Sequence, residues 1–515
     1  MGMIERLAGH FGYRRIKTQS NNHHRQRVQA RMFDAAIIDR KSYAWGVNGA
    51  SLDGMIYAAL VNLRRRSRKL AHNNEYAKNF VRMAKQNIVG PTGFIFQSKA
   101  RTQAGALDRA DNVRIETAWR RQSKRANFCV NGRQSRDQAE ALAVEYLIRD
   151  GEILMQKVPG FEKNETGFAI RFLDPDRLDI NVNKVRDPRS GLRTIMGVTL
   201  DDDDRPVAYH LLTKHPEGSY LQTEAMTGQT HIVLPAEQIE HIFLPMGGEQ
   251  HRGVPWFHAS ILSLKDIGAY REAAIIAARV GAAKMGFFTS PEGDSFTGDG
   301  RETDADGEEG ATITTAEPGT FEQLVAGTEF QTYDPTYPHE QFADFNKEML
   351  HGVAVSLGAA YHNITGNLEG VNFSSSRMGE FKEHEVWLTL QHFVSQSFDQ
   401  MIYEDWLRFK LATDTLDGIP PQRFAKFSTP TWQGRRWEAV QPVEQQKANA
   451  MAYGLRTKSI SGIIRDSAQD PEEVWAEMAE DNERLKAMGL EPSLITTLKP
   501  DDGDDKKSSS ANDES

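Results

Sequence analysis

Cysteine is almost absent. Cys129 is the only one in 515 residues, so no disulfide can form within a chain, and a reducing compartment such as the cytoplasm is compatible with synthesis. No uncharged apolar run reaches the roughly 18–20 residues that a membrane span requires, so no membrane partner is expected. The opening residues, MGMIERLAGHFGYRRIK, hold no apolar stretch long enough for a secretory signal. Chemistry-bearing motifs are missing too. There is no glycine-rich phosphate loop ending in Gly-Lys-Ser/Thr, no Gly-x-Ser-x-Gly elbow and no His-Glu-x-x-His pair. Cys129, flanked by Phe128 and Val130, reads as a small buried residue and not as a nucleophile. His210 and His241 sit in strand-like runs and read as structural; His384 and His392, eight apart, form no ligand pair. No enzyme activity, metal or cofactor is expected.

What is present is a folded composition with an uneven charge. Apolar residues make up 39% and charged residues 26%, and the length exceeds what one core usually supports, so several subdomains are expected. The net charge of −9 conceals a division. Residues 1–136 carry 27 Lys and Arg against 8 Asp and Glu, and the remainder carries 35 against 63. Either both parts have solvated charged faces, or a basic and an acidic part meet, within a chain or across a subunit boundary.

Residues 1–50 are basic and poorly periodic and read as an extended arm. Helical spacing runs from Ser51 to about Leu70 and from Asn74 to Ile88, stopping at Gly90-Pro91. The run Arg64, Arg65, Arg66, Arg68 and Lys69 is read as a solvated face and not as a DNA site. Over 168–243, short apolar runs (168–173, 194–200, 207–212, 231–234, 239–244) between turn clusters predict a mostly antiparallel meander. Asp201 to Asp204 is read as a turn cap and not as a metal site.

From Ile261 to Met285 an alanine-rich helix is predicted, with Lys265, Glu272 and Arg279 recurring every seven residues as one polar stripe. Small side chains suit a helix packed among many copies of itself, although an ordinary alanine-rich core helix has the same pattern. Residues 292–310 hold eight acidic residues and one basic residue and read as a solvated, mobile loop. A second helix is predicted over Phe342–Leu357. A long amphipathic helix is predicted from about Ser375 to Leu411, burying Met378, Phe381, Trp387, Leu390, Val394, Phe398, Met401 and Trp406. Asp470-Pro471-Glu472-Glu473 is a helix start, and the polar, acidic chain from Pro500 reads as disordered.

Between the two helical patterns lies GNLEGVNFSSSR, residues 366–377. It offers no apolar face and reads as an exposed flap whose serines cap the next helix. Gly366 and Gly370 supply backbone freedom, and Arg377 sits at the helix start. The stretch resembles the tunnel-loop signature of the lambda-type family of phage portal proteins. The resemblance extends through LRRRSRKLAHNNEYAKNFVRMAKQNIVGPTG (63–93), EYLIRDGEILMQ (145–156), RFLDPDRLDI (171–180), RPVAYHLLTKHP (205–216), LPAEQIEHIF (234–243), the helix-bearing 251–288 and the C-terminal block 430–459. These follow family order and cover most of residues 63–459.

That resemblance implies an α+β chain with the multi-subdomain portal fold, forming a ring at the special vertex of a phage head, dodecameric in virions of this kind. It implies a basic arm at 1–50, an α/β wing at 51–255, stem helices at 256–285 and 339–358, and a clip at 286–338 carrying the acidic loop. It further implies a tunnel loop with its long helix at 359–411, a helical crown at 412–490 and a tail at 491–515. The expected partners are further copies of the chain, double-stranded DNA without sequence preference, terminase, head–tail adaptors, and major capsid or scaffolding protein. Asn367, Asn372 and Ser374 would meet DNA phosphates, with Arg377 adding charge or anchoring the helix start. Another virion ring, such as a head-completion or tail adaptor, is the alternative; a DNA-processing enzyme is a third class.

Overall fold

The computed structural model describes residues 51–216, 231–283, 286–289, 329–332, 341–369, 373–416, 418–437, 441–467 and 469–490. The basic arm, the acidic loop 292–310 and the tail 491–515 lie outside them. The chain divides between Met55 and Ile56 into two units, and only residues 51–55 of the first are described.

Helix α1 (Leu52–Asn73) and helix α2 (Glu75–Ile88) meet at Asn74, whose side chain accepts the N–H groups of Tyr76 and Ala77. Helix α2 ends as expected: Gly90, at φ +76°, returns its N–H to the Lys85 carbonyl. Strand β1 (Ile95–Gln97), helix α3 (Arg109–Gln122) and helix α4 (Arg136–Arg149) follow. Two larger antiparallel sheets follow. Strands β2 (Glu152–Phe161), β3 (Gly167–Leu173) and β8 (Ile239–Phe243) make one, in the order β3-β2-β8. Strands β4 (Arg193–Ile195), β5 (Val198–Leu200), β6 (Pro206–Leu212) and β7 (His231–Pro235) make the other, in sequence order. Each of the five predicted runs carries strand. The run 194–200 folds back on itself through Met196 and Gly197, at φ +45° and +87°.

Alternation along β2 separates two cores. Ile153 and Met155 join the main cluster, with Ala77, Phe80, Ala84, Trp119, Ala143 and Leu147. Leu154 faces the other way, into a smaller core with Leu178, Val198, Leu200, Tyr209, Leu211 and Ile239 between the sheets. Cys129 is buried, and burial pushes its thiol up to about 12, which leaves it protonated and unreactive near neutrality. Asp201 caps its own turn, accepting from the N–H groups of Asp203 and Arg205.

The charge on α1 departs from expectation. Arg65, Arg66 and Lys69 are exposed, but Arg64 and Arg68 point inward. Arg64 reaches Glu152 (2.6 Å) and Asp176 (3.2 Å); Arg68 reaches Asp150 (2.5 Å), Asp174 (2.8 Å) and Asp176 (2.6 Å). The run is therefore neither a uniformly solvated face nor a DNA stripe. The same network admits Arg252, fully buried and 2.8 Å from Glu152. Gly151 and Gly253 make this possible, because a Cβ on either would collide with the other segment's backbone.

Helix α5 (Ile261–Ala283) leads to strand β9 (Gly286–Thr289), and strand β10 (Glu329–Thr332) pairs antiparallel with it before helix α6 (Phe342–Leu357). The excursion between the two helices thus leaves and returns through one ladder. Tyr270 of α5 packs on Phe342 and Phe345 of α6 at 5.3 and 5.2 Å. Helix α7 (Tyr361–Thr365) comes next, then α8 (Phe373–Val394), a π turn (Ser395–Gln400) and α9 (Met401–Ala412).

The π turn corrects the expected buried face of the long helix. A π turn holds one residue more than an α turn, so the phase shifts by one position. Trp387, Val394, Phe398 and Trp406 are buried, and beyond the turn Ile402 takes the inner place expected of Met401. Met378 and Phe381 are more than half exposed. The C-terminal part sends β11 (Thr431–Gln433) back to β1, with Trp432 among Phe96, Trp119 and Tyr403. Helices α10 (Pro442–Gly454), α11 (Ile460–Asp466) and α12 (Pro471–Ala487) complete the described chain. Helix α12 starts as read: Asp470 accepts the N–H of Glu472, with Pro471 in the first position.

Candidate channel loop and its anchorage

The flap begins where α7 ends. Gly366, at φ +70°, closes that helix by donating its N–H to the His362 carbonyl. Asn367 is exposed, and its Oδ1 accepts the Glu369 N–H at 2.8 Å, an Asx turn that shapes the first flap residues. Its carboxamide nitrogen has no partner among the described residues. Gly370 and Asn372 lie outside the described residues. Helix α8 starts at Phe373, so Ser374 and Arg377 stand in its first turns and the serines do not precede it as a cap. The structure therefore brings together Gly366 and Asn367 at one end of the flap and Ser374 and Arg377 at the other.

The flap's upstream end is held by residues that the sequence reading missed. Glu383 of α8 is buried and accepts three donors: Ala360 N–H (2.8 Å), Asn363 Nδ2 (2.8 Å) and Trp387 Nε1 (2.9 Å). From the other side, Asn79 Nδ2 of α2 donates to the carbonyls of Asn363 and Ile364, both at 2.9 Å. His351 of α6 stacks on Tyr361 with ring centres 4.1 Å apart. A cleft of about 470 Å³ opens beside this joint, lined by Asn79, Arg82, Asn363, Glu383, His384 and Trp437 among others. His384 stacks flat on Trp437 at 4.0 Å, and partial burial lowers its pKa, which favours the neutral ring. A Glu–Trp pair four residues apart on a helix was the only local signal of this anchor.

Lys265, Glu272 and Arg279 are all exposed on α5. Leu262 and Ile276, on the same helical face, are 63% and 51% exposed, so the stripe mixes charge with open apolar surface. Elsewhere, Asp174, Asp176 and His215 approach one another closely, but Arg64 and Arg68 already occupy those carboxylates. His210 Nε2 bonds Thr199 Oγ1 at 2.9 Å and His241 Nε2 lies 3.1 Å from Glu152, so both histidines are structural. No described helix is long and apolar enough to cross a membrane.

The described chain mixes helix and strand, with α5 and α6 flanking an excursion and a flap between α7 and the long helix. The family model for phage portal proteins of the lambda family matches residues 39–391. The probable portal protein of Halomonas phage phiHAP-1 is 31% identical over 487 residues, covering 92% of both chains. Portal protein B of Escherichia phage lambda is 18% identical over 485 residues, covering 87% of this chain and 88% of its own. Among solved structures, a chain in the virion of a native gene transfer agent particle aligns with a TM-score of 0.45 at 14% identity, over 88% of this chain and 98% of that one. The chain belongs to the lambda family of phage portal proteins. That membership sets aside the head-completion and tail-adaptor alternatives, and the family is a structural one.

Proposed function

We propose that copies of this chain close into a ring of about twelve at the head vertex, through which double-stranded DNA is packaged and ejected. The family membership carries the reading. The open stripe of α5 supports it: a helix whose exposed face mixes Leu262 and Ile276 with Lys265, Glu272 and Arg279 suits cover by a neighbouring copy. Closed rings use two different complementary faces per subunit. A duplex carries one negative charge about every 1.7 Å, so a lumen rich in lysine would grip it, and the net charge of −9 per chain favours sliding. Within this scheme residues 51–255 form the wing, α5 and α6 the stem, and 286–338 the clip. Residues 366–377 form the tunnel loop. The crown is set at 412–490. The acidic loop 292–310 faces terminase and then the head–tail adaptors, and capsid or scaffolding protein surrounds the ring.

Negative-stain images of the purified protein are expected to show rings with a central hole; discrete monomers at every concentration would overturn the ring. Replacing Asn367, Asn372 and Ser374 together by alanine is expected to leave rings intact and to lower the DNA retained in filled heads several-fold. Full-length DNA retained at the normal level would remove these side chains from the channel.

A further inference from the structure

The long helix is interrupted at Ser395–Gln400 by the π turn, and Asp399 of that turn faces α4. Asp399 and Glu140 are both fully buried. Their carboxyl groups meet the same guanidinium nitrogen. Arg136 Nη1 donates to Glu140 Oε1 and, at 3.2 Å, to Asp399 Oδ1. Glu140 Oε2 accepts the Phe94 N–H at 3.1 Å, and Arg136 Nη2 donates to the Phe94 carbonyl. Gly93, at φ +74°, leaves the space for this, since a Cβ there would lie 2.5 Å from Glu140 Oε2. Asp399 Oδ2 is buried without a donor among the described residues. The charged groups facing the pair are Arg136 and, acting on it, Asp137, both on α4. The 93–94 segment offers backbone groups, and β11 offers the neutral Trp432 ring, 5.7 Å from the Arg136 guanidinium. One cation does not balance two buried carboxylates, and an unpaired buried charge is costly.

We propose that Glu140 and Asp399 share one proton, and that this proton fastens the π turn of the long helix to α4. Burial pushes Glu140 well above the usual carboxylate range despite Arg136, and Asp399 is raised as well. The unfolded chain releases such a proton near the ordinary value of 4.5, whereas the folded one keeps it. The fastening is therefore complete below that pH and is lost as pH rises through the folded value. Removing the proton places a second negative charge beside Asp399. The π turn, one residue longer than an α turn, is then free to open and α8 to re-register against α9.

Hydrogen exchange on the full chain tests this. After correction for intrinsic rates, amides 395–400 are expected to exchange about tenfold faster or more at about pH 10 than at about pH 6. In Glu140→Gln and Asp399→Asn the corrected rates should stay level across that range. Level rates in the parent, or the same rise in both variants, would overturn the proposal. Should the variants fail to fold, infrared difference spectra of the parent decide the matter. One buried carboxylic acid carbonyl band per chain, present near pH 7 and lost in alkali, is expected, and its absence refutes the shared proton.

Discussion

Glu152→Ala is expected to unfold most of the chain at ambient temperature or to lower its urea midpoint steeply. Glu152 is fully buried and serves Arg252, Arg64, His241 and the Gly253 N–H at once. Removing it leaves two buried guanidinium groups without their shared counter-ion, a loss of about 3–5 kcal/mol against a typical total of 5–15 kcal/mol. Arg121→Ala is the control: its pair with Glu165 is largely exposed and contributes about 0–1 kcal/mol. Equal midpoints for the two variants would show that the network does not hold α1 and β2 together. Acid should reproduce the effect. Burial opposes the charge on Glu152, but Arg252, Arg64 and His241 outweigh it and hold the carboxyl well below its usual range. A depressed carboxyl contributes stability that is present above about 4.5 and is lost as pH falls through the folded value. Parent stability should thus drop below about pH 4.5, and Glu152→Gln should lack that part of the drop.

The network also shows what a sequence can and cannot disclose. Helix starts and stops were legible because their chemistry is local: Asn74, Gly90 and Asp470 act on backbone groups within a few residues. The strands within 168–243 were legible because short apolar runs between turn clusters are local too. The inward turn of Arg64 and Arg68 was not, since their partners Asp150, Glu152, Asp174 and Asp176 stand 82 to 112 residues away. The π turn escaped for a related reason: a single inserted residue changes which apolar positions face in, while the apolar pattern still reads as one helix. Of the candidate site, the flap's glycines and asparagines mark it as exposed in any reading. Its anchor lay hidden, because Glu383, Asn363 and Asn79 look like surface residues until α2, α7 and α8 come together.

The uneven charge has a partial answer within one chain. Arg64, Arg68, Lys85, Arg109, Arg120, Arg121 and Arg136, all from the basic part, pair with acids of the remainder, from Glu145 to Glu473. Two of these pairs, Arg109–Glu472 and Arg120–Glu473, place the acidic start of α12 against α3. Both are exposed and weak, and salt above about 0.1 M screens them. Contacts between copies would add to this pairing and not replace it.

Glu383→Ala is expected to loosen the flap's root while leaving the two sheets folded. The substitution strips the acceptor from three donors, Ala360 N–H, Asn363 Nδ2 and Trp387 Nε1, of which the indole is deeply buried. Each donor left unpaired away from water costs about 1–3 kcal/mol, and water entering from the adjoining cleft recovers part of that. Because Glu383 joins α8 to α7, two of the three lost bonds fall on the short helix and the turn before it, and only the Trp387 indole belongs to the main core. Amides 360–366 should exchange at least about tenfold faster, and Trp387 fluorescence should shift toward longer wavelength as water reaches the ring. Rings should still form, while retained DNA falls further than with the Asn367, Asn372 and Ser374 triple variant. The reason is geometric: the triple change removes contacts from a flap still held in place, whereas Glu383→Ala removes the hold itself. Unchanged exchange at 360–366 would show that Asn79 and the His351–Tyr361 stack suffice as the anchor, and that the loop's position does not depend on this carboxylate.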